Sequence, residues 1–287
     1  MDGKIKMLMS PTEPQDQLLA QYTPIKERLN SHIDAVDTVE LQYAADYAAT
    51  LTALGSGTGD IAETGPFAAA LGVTQGNAEI LFQRKGYGSF TYSSVIVTRP
   101  ETNISSLTDL EGKTVAFADP LSASGSLYPM AMIKEAGLSV PDEPGSPAGA
   151  DFEPAWSSHA NAKSALASGT ADAAGVGYFI VADDAREGVQ DGFETVKRAD
   201  GIPRAPIVVS PMLSDGEVSK IETAFTEASN SLYWGEDGEE GTDDDLWFNA
   251  VRPADKSTYQ PVIDKAQTLG YGAEVFKDST PTPTPNN

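Results

Sequence analysis

Residues 119–126, Asp119-Pro120-Leu121-Ser122-Ala123-Ser124-Gly125-Ser126, form the stretch of this chain best equipped for chemistry. They follow a strand-like run, Thr114-Val115-Ala116-Phe117, and lead into a helix-like one over 127–136. A strand, a short polar turn and a helix start together make an anion receptor. The first N–H groups of a helix have no partner within it, and the helix dipole favours negative charge there. Hydroxyls at Ser122, Ser124 and Ser126 add donors without adding charge. Serine at such a place also serves as a plain helix cap, and the turn alone leaves both readings open.

The elements that must position this turn alternate along the chain. Residues 4–9 read as a strand, 15–29 as a helix interrupted near Pro24, 38–43 as a strand and 47–54 as a helix closed by Gly55. Residues 60–63 read as a short strand, and 66–71 as a helix with Pro66 in its first turn and Gly72 after its end. Strands over 79–83 and 93–98 complete the first unit. A second unit comprises a strand over 114–117, helices over 127–136 and 161–167, and strands over 171–176 and 193–197. Residues 141–154 read as a loop rich in Pro, Gly and Asp, and 202–209 as a strand entered through a proline-stiffened crossing. Helices over 215–232 and 259–269 end the series, with an acidic, solvated loop at 235–245 and a Thr-Pro tail from 279 to 287. Such alternation argues for α/β architecture with mainly parallel sheets and helices on their faces.

Composition narrows the function classes. The 287 residues hold 19 Lys+Arg against 42 Asp+Glu, a formal charge of −23, with 40% hydrophobic content. The chain is long enough for two lobes and apolar enough to be globular. Nucleic acid is excluded as a partner, because binding it needs clustered cations. The acidity suits brine, where a Debye length of about 3 Å at 1 M salt screens self-repulsion. A halophilic source is therefore expected, with fold and activity retained only in molar salt; full stability in dilute buffer would count against it. Without cysteine, disulfides, thiol catalysis and thiolate metal sites are unavailable. No apolar run approaches the ~20 residues of a membrane-spanning helix. Met1-Asp2-Gly3 leads almost directly into the first strand, a start that fits a processed chain as well as a cytoplasmic one.

Several segments together carry a resemblance. They are Asp46-Tyr47 before a helix, Gly59-Asp60-Ile61-Ala62 before Gly65-Pro66, and Tyr92-Ser93-Ser94-Val95-Ile96-Val97. They continue through the 107–117 run Leu-Thr-Asp-Leu-Glu-Gly-Lys-Thr-Val-Ala-Phe, Asp119-Pro120 with its serine turn, His159, the 169–174 run Gly-Thr-Ala-Asp-Ala-Ala, and Ile202-Pro203 before Pro206. From about residue 4 to 270 the chain resembles the substrate-binding proteins of phosphonate and phosphite ABC transporters. The resemblance implies a two-lobed periplasmic-binding-protein fold of type II, two crossing strands at the hinge and a ligand in the cleft. Lobe 1 is expected at 1–93 and 206–280 and lobe 2 at 94–205, with 281–287 as the tail and crossings near 92–98 and 202–209. It implies no catalysis, no cofactor and no metal. The implied partners are a small phosphorus oxyanion (phosphonate, phosphite or phosphate) and a membrane permease. The implied location is extracytoplasmic, periplasmic or surface-anchored, with membrane contact only through an N-terminal anchor removed or missing here.

Carried over position by position, the resemblance assigns ligand binding to Tyr47, Tyr92, Ser122, Ala123, Ser124, Gly125, Ser126 and His159. Ser10, Thr12 and Glu13 in the first strand–helix turn, together with Tyr178 and Arg204, are further candidates for the cleft. The bland alternatives are a core aromatic for Tyr47, a structural role for His159, a cap at Ser10 to Glu13 and a solvent-facing Arg204. His32, in a polar turn, reads as surface. Two departures bear on the ligand. Ala123 stands where relatives carry a hydroxyl, so one side-chain donor is missing. Relatives that take aminoalkylphosphonates have acidic residues near 177–179 and between Pro203 and Pro206, where this chain has Tyr178-Phe179 and Arg204-Ala205. A buried ammonium without a partner is costly, so 2-aminoethylphosphonate is disfavoured and a smaller or uncharged-tail oxyanion expected. An enzyme on the same scaffold would need a catalytic acid, nucleophile or attached cofactor. A sensor domain would need a basic DNA-binding partner. The sequence displays neither.

Overall fold

Strand β1 (Gly3–Met9) is apolar on both faces, with Ile5, Met7 and Met9 buried on one side and Leu8 on the other, as the interior position of a two-layered sheet demands. It pairs in parallel with β2 (Val36–Tyr43) in the register Met7 to Leu41. In the computed structural model, residues 3–12, 15–34, 36–182, 189, 192–235, 239, 246 and 250–271 are described. Helix α1 (Gln15–His32) connects these strands, and its buried stripe of Leu18, Tyr22, Ile25 and Leu29 repeats at helical spacing. That stripe carries the helix unbroken past Pro24, where the sequence suggested an interruption.

The chain continues through α2 (Tyr47–Gly55), β3 (Ile61–Glu63), α3 (Pro66–Gln75), β4 (Glu79–Lys85) and β5 (Thr91–Thr98). Gly72 lies inside α3 and does not end it; the helix closes at Gly76. A Cβ on Gly72 would stand 2.7 Å from Leu51 Cδ2, so this glycine lets α2 and α3 approach. Next come β6 (Thr114–Phe117), α4 (Tyr128–Glu135), β7 (Glu153–Trp156), α5 (His159–Ser168), β8 (Ala173–Gly177), α6 (Tyr178–Val181) and β9 (Glu194–Pro203). The last elements are β10 (Pro206–Val209), α7 (Asp215–Thr226), α8 (Asn230–Tyr233), β11 (Ala250–Pro253) and α9 (Gln260–Leu269). The single helix expected over 215–232 is thus two, and β7 and β11 are strands the sequence reading lacked. Glu13 and the 279–287 tail lie outside the described residues, as does most of the acidic 235–245 stretch.

Two sheets result. The first has the order β11-β4-β10-β3-β1-β2 and the second β7-β6-β8-β5-β9. Both are mixed: β10 runs against β3 and β4, and β5 against β8 and β9. Strand β5 lies wholly in the second sheet, β9 ends there at Pro203, and β10 opens in the first at Pro206. The chain therefore passes between sheets at 86–90, just before the first strand expected to cross, and at 204–205, inside the second expected crossing at 202–209. Both passages are tied together, since Arg204 N donates to Phe90 O and Arg84 N to Ala205 O. The site turn lies after β6, at a strand end of the second sheet facing the first, where open α/β folds bind ligands.

Candidate functional site

Beyond β6 the chain turns through Asp119 into Ser122, whose backbone is extended (φ −73°, ψ 129°) and whose Oγ accepts from Gly125 N at 3.1 Å. Residues 123–127 form one wide π-type turn and run directly into α4. Only glycine fits at 125. A Cβ there would stand 2.3 Å from Ala118 Cβ and 2.7 Å from His159 Cε1.

That close approach seats His159, a buried ring at the first position of α5. Its Nδ1 accepts from Gly177 N at 3.1 Å. A backbone N–H only donates, so Nδ1 carries no proton and the neutral ring holds its proton on Nε2. Burial pushes the His159 pKa down to about 4, which keeps the ring neutral at pH 7. Nε2 lies 3.2 Å from Ser122 Oγ. Ser122 Oγ then accepts from both Nε2–H and Gly125 N–H, and its own proton is left to donate elsewhere. Tyr92 lines the same space beside Ser124, with burial raising its pKa. Ser94 Oγ donates to Ser124 O at 2.7 Å and fixes the turn from β5.

The opposite wall carries charge. Glu63, ending β3, and Arg84 on β4 form a buried pair with Nε and Oε1 2.9 Å apart. Arg204 is 7% exposed; its Nε donates to Ser89 O at 2.9 Å, and its guanidinium stands 5.5 and 5.6 Å from the ring centres of Tyr87 and Tyr92. Burial, then repulsion from Arg84, lowers its pKa to about 10. Thr12 Oγ1 is buried and finds no hydrogen-bond partner among the described residues. Between the walls lies a cavity of about 30 Å³ open to the centre of a water molecule. One water needs about 10–15 Å³ by this measure, so the space suits a few waters or one tetrahedral oxyanion.

A family model for the ABC transporter, phosphonate, periplasmic substrate-binding protein matches residues 7–259. The chain belongs to this family. Its members are substrate-binding proteins of transport systems and not enzymes. The chain is 29% identical over 244 residues to the phosphate-import protein PhnD of Mycolicibacterium smegmatis, covering 82% of this chain and 74% of that one. In fold it is similar to a binding protein component of an ABC phosphonate transporter from Pseudomonas aeruginosa, with a TM-score of 0.76, 21% identity, and 94% and 87% of the two chains covered. It is likewise similar to PhnD1 from Prochlorococcus marinus in complex with methylphosphonate, with a TM-score of 0.75, 18% identity, and coverage of 94% and 100%.

Of the residues singled out from the sequence, Thr12, Tyr47, Tyr92, Ser122, Ala123, Ser124, His159 and Arg204 line the cavity together. Four others do not reach its wall. Ser10 Oγ is engaged with Thr50 and Thr64 inside the first sheet's layer. Gly125 packs beneath His159, and its N–H is taken by Ser122. Ser126 Oγ donates to Asp119 O at 2.8 Å, on the far side of the turn. The Tyr178 ring is covered by Arg198, 4.2 Å from its centre. Arg204, for which a solvent-facing role stood open, is buried. Glu63, Arg84 and Phe179 line the cavity without having been picked out as site residues. Glu63 places a carboxylate in the wall after all, but Arg84 holds it. Arg84 follows the apolar run Ile80-Leu81-Phe82 on β4, a strand expected to end at Gln83 that continues to Lys85.

Proposed function

We propose that this chain captures one small phosphorus oxyanion between its sheets and hands it to a membrane permease outside the cytoplasm. The observation that carries the reading is the oriented chain from Gly177 N–H through His159 to Ser122. It leaves a hydroxyl proton to donate into a cavity the size of one tetrahedral anion. Tyr92 and Ser124 are placed to add hydrogen bonds, and a charge-neutral donor set binds an anion without importing a competing counter-ion.

The two sheets serve as lobes, which hinge where the chain passes between them at 86–90 and 204–205 and close on the ligand. The charge of −23 supports a protein working in brine. Phosphate is what the mycobacterial relative's name says it imports, and methylphosphonate is what the Prochlorococcus structure holds. Both fit this cavity better than an ammonium-tailed phosphonate, because the one carboxylate in the wall is already paired.

Calorimetric titration with phosphate, phosphite, methylphosphonate and 2-aminoethylphosphonate, in dilute and in molar salt, tests the reading. One of the first three should bind tightest. Preference for the aminophosphonate would sink the argument from the paired carboxylate, and absence of binding to all four would remove the receptor role.

A further inference from the structure

Arg204 is a buried cation without an ion-pair partner among the described residues. Arg84 repels it, Glu63 is bound to Arg84, Tyr87 and Tyr92 present their rings, and Ser89 O accepts from Nε. Two ring faces and one carbonyl compensate a desolvated guanidinium only in part. The wall holds two arginines and one glutamate, so its side chains sum to one positive charge in a chain of −23. The cradle opposite is neutral throughout.

From this juxtaposition we propose that Arg204 determines specificity by charge: it pairs with the bound anion and selects doubly over singly ionised oxyanions. The inference rests on the receptor reading above and adds to it the ionic class of ligand. The neutral cradle recognises oxygens wherever they stand, and it distinguishes one negative charge from two only weakly. A fixed cation across a small desolvated cavity attracts a dianion about twice as strongly as a monoanion. Arg204 also bridges both inter-sheet passages through Ser89 O and Phe90 O. A ligand held by it therefore touches the hinge as well as the cradle.

Phosphite and hypophosphite are the probes, since they share a phosphorus centre and carry two charges and one at pH 8. Titration calorimetry should show wild-type protein preferring phosphite. Arg204→Gln should shrink that preference by about tenfold or more, and Arg204→Lys, which keeps the charge, should retain most of it. Thermal unfolding without ligand should show R204Q no less stable than wild type, because the substitution removes an uncompensated charge. An unchanged preference in R204Q, or one lost equally in R204K, overturns the proposal. If R204Q does not fold, the wild-type ratio decides: equal affinity for the two probes overturns this proposal alone. Wild-type protein that binds neither overturns the receptor reading and this proposal with it.

Discussion

The two walls of the cleft solve one problem in opposite ways. On the second-sheet side, Ser122, Ser124, His159 and Tyr92 are neutral, and the backbone N–H groups of Gly125 and Gly177 fix the polarity of Ser122 and His159. On the first-sheet side, Glu63, Arg84 and Arg204 are charged and buried. A neutral donor costs little to desolvate and so can wait, oriented, for a ligand. A buried charge must be compensated in the folded state, by a partner or by what binds. The largest expected effect follows from that contrast. Glu63→Gln leaves Arg84 buried without its carboxylate, and should lower unfolding free energy in urea by about 3–5 kcal/mol. The same experiment on Ser122→Ala should show far less. Comparable losses would mean that the charged wall is relaxed by solvent and the contrast false.

The neutral wall has one member that acid can charge, His159, which burial keeps neutral. His159 titrates near 6.5 in the unfolded chain and at about 4 in the fold. Its contribution is fully present above pH 6.5 and is lost as pH falls toward 4, by about 3 kcal/mol in all. Protonation also sets an Nδ1–H against the Gly177 N–H, so the orientation of Ser122 fails with it. Asp119, at the start of the same turn, has the opposite sign. Burial raises its pKa to about 6, so the stability it contributes is present below the unfolded value of 3.8 and lost as pH rises through 6. Unfolding midpoints against pH should therefore lose their acid-side fall in His159→Gln and their fall between pH 4 and 6 in Asp119→Asn. A His159→Gln profile parallel to wild type would place the charge of His159 elsewhere.

How far the sequence exposed this arrangement depends on how local each feature is. The serine turn is one unbroken segment after a strand, and family resemblance supplied His159, so the neutral wall was largely legible. The charged wall was not. Glu63 and Arg84 lie 21 residues apart on β3 and β4, and the strand between them in the sheet is β10, which arrives more than a hundred residues later. No spacing rule connects such residues. Strand β7 was hidden by Pro154 and the loop before it, and β11 is a four-residue edge strand ending in proline. Helix α1 ran past Pro24 because four buried side chains outweigh one missing hydrogen bond. The Arg204 side chain was ambiguous because its direction is set by packing between Tyr87 and Tyr92, a property of the tertiary fold.

The smallest effects test the neutral wall from within, since two serines on one turn are used differently. Ser122 Oγ accepts from two donors and keeps its proton for the cavity, whereas Ser126 Oγ spends its proton on Asp119 O. Ser122→Ala should weaken binding of the tightest oxyanion by about 1–3 kcal/mol, the range for a hydrogen bond to a charged group. Ser126→Ala should leave affinity almost unchanged and cost about 1 kcal/mol of stability, because it removes one buried hydrogen bond to Asp119 O, which keeps the Ser122 N–H as a donor. Calorimetry and urea unfolding on the two variants give four numbers, and affinity separates them: Ser122→Ala also costs stability, since it leaves His159 Nε2–H and Gly125 N–H without their acceptor, but binding falls in Ser122→Ala alone. If Ser126→Ala were the variant that lost affinity, the anion would lie on the far face of the turn, against Asp119. Neither His159 nor Arg204 would then reach it, and the two walls would no longer enclose one site.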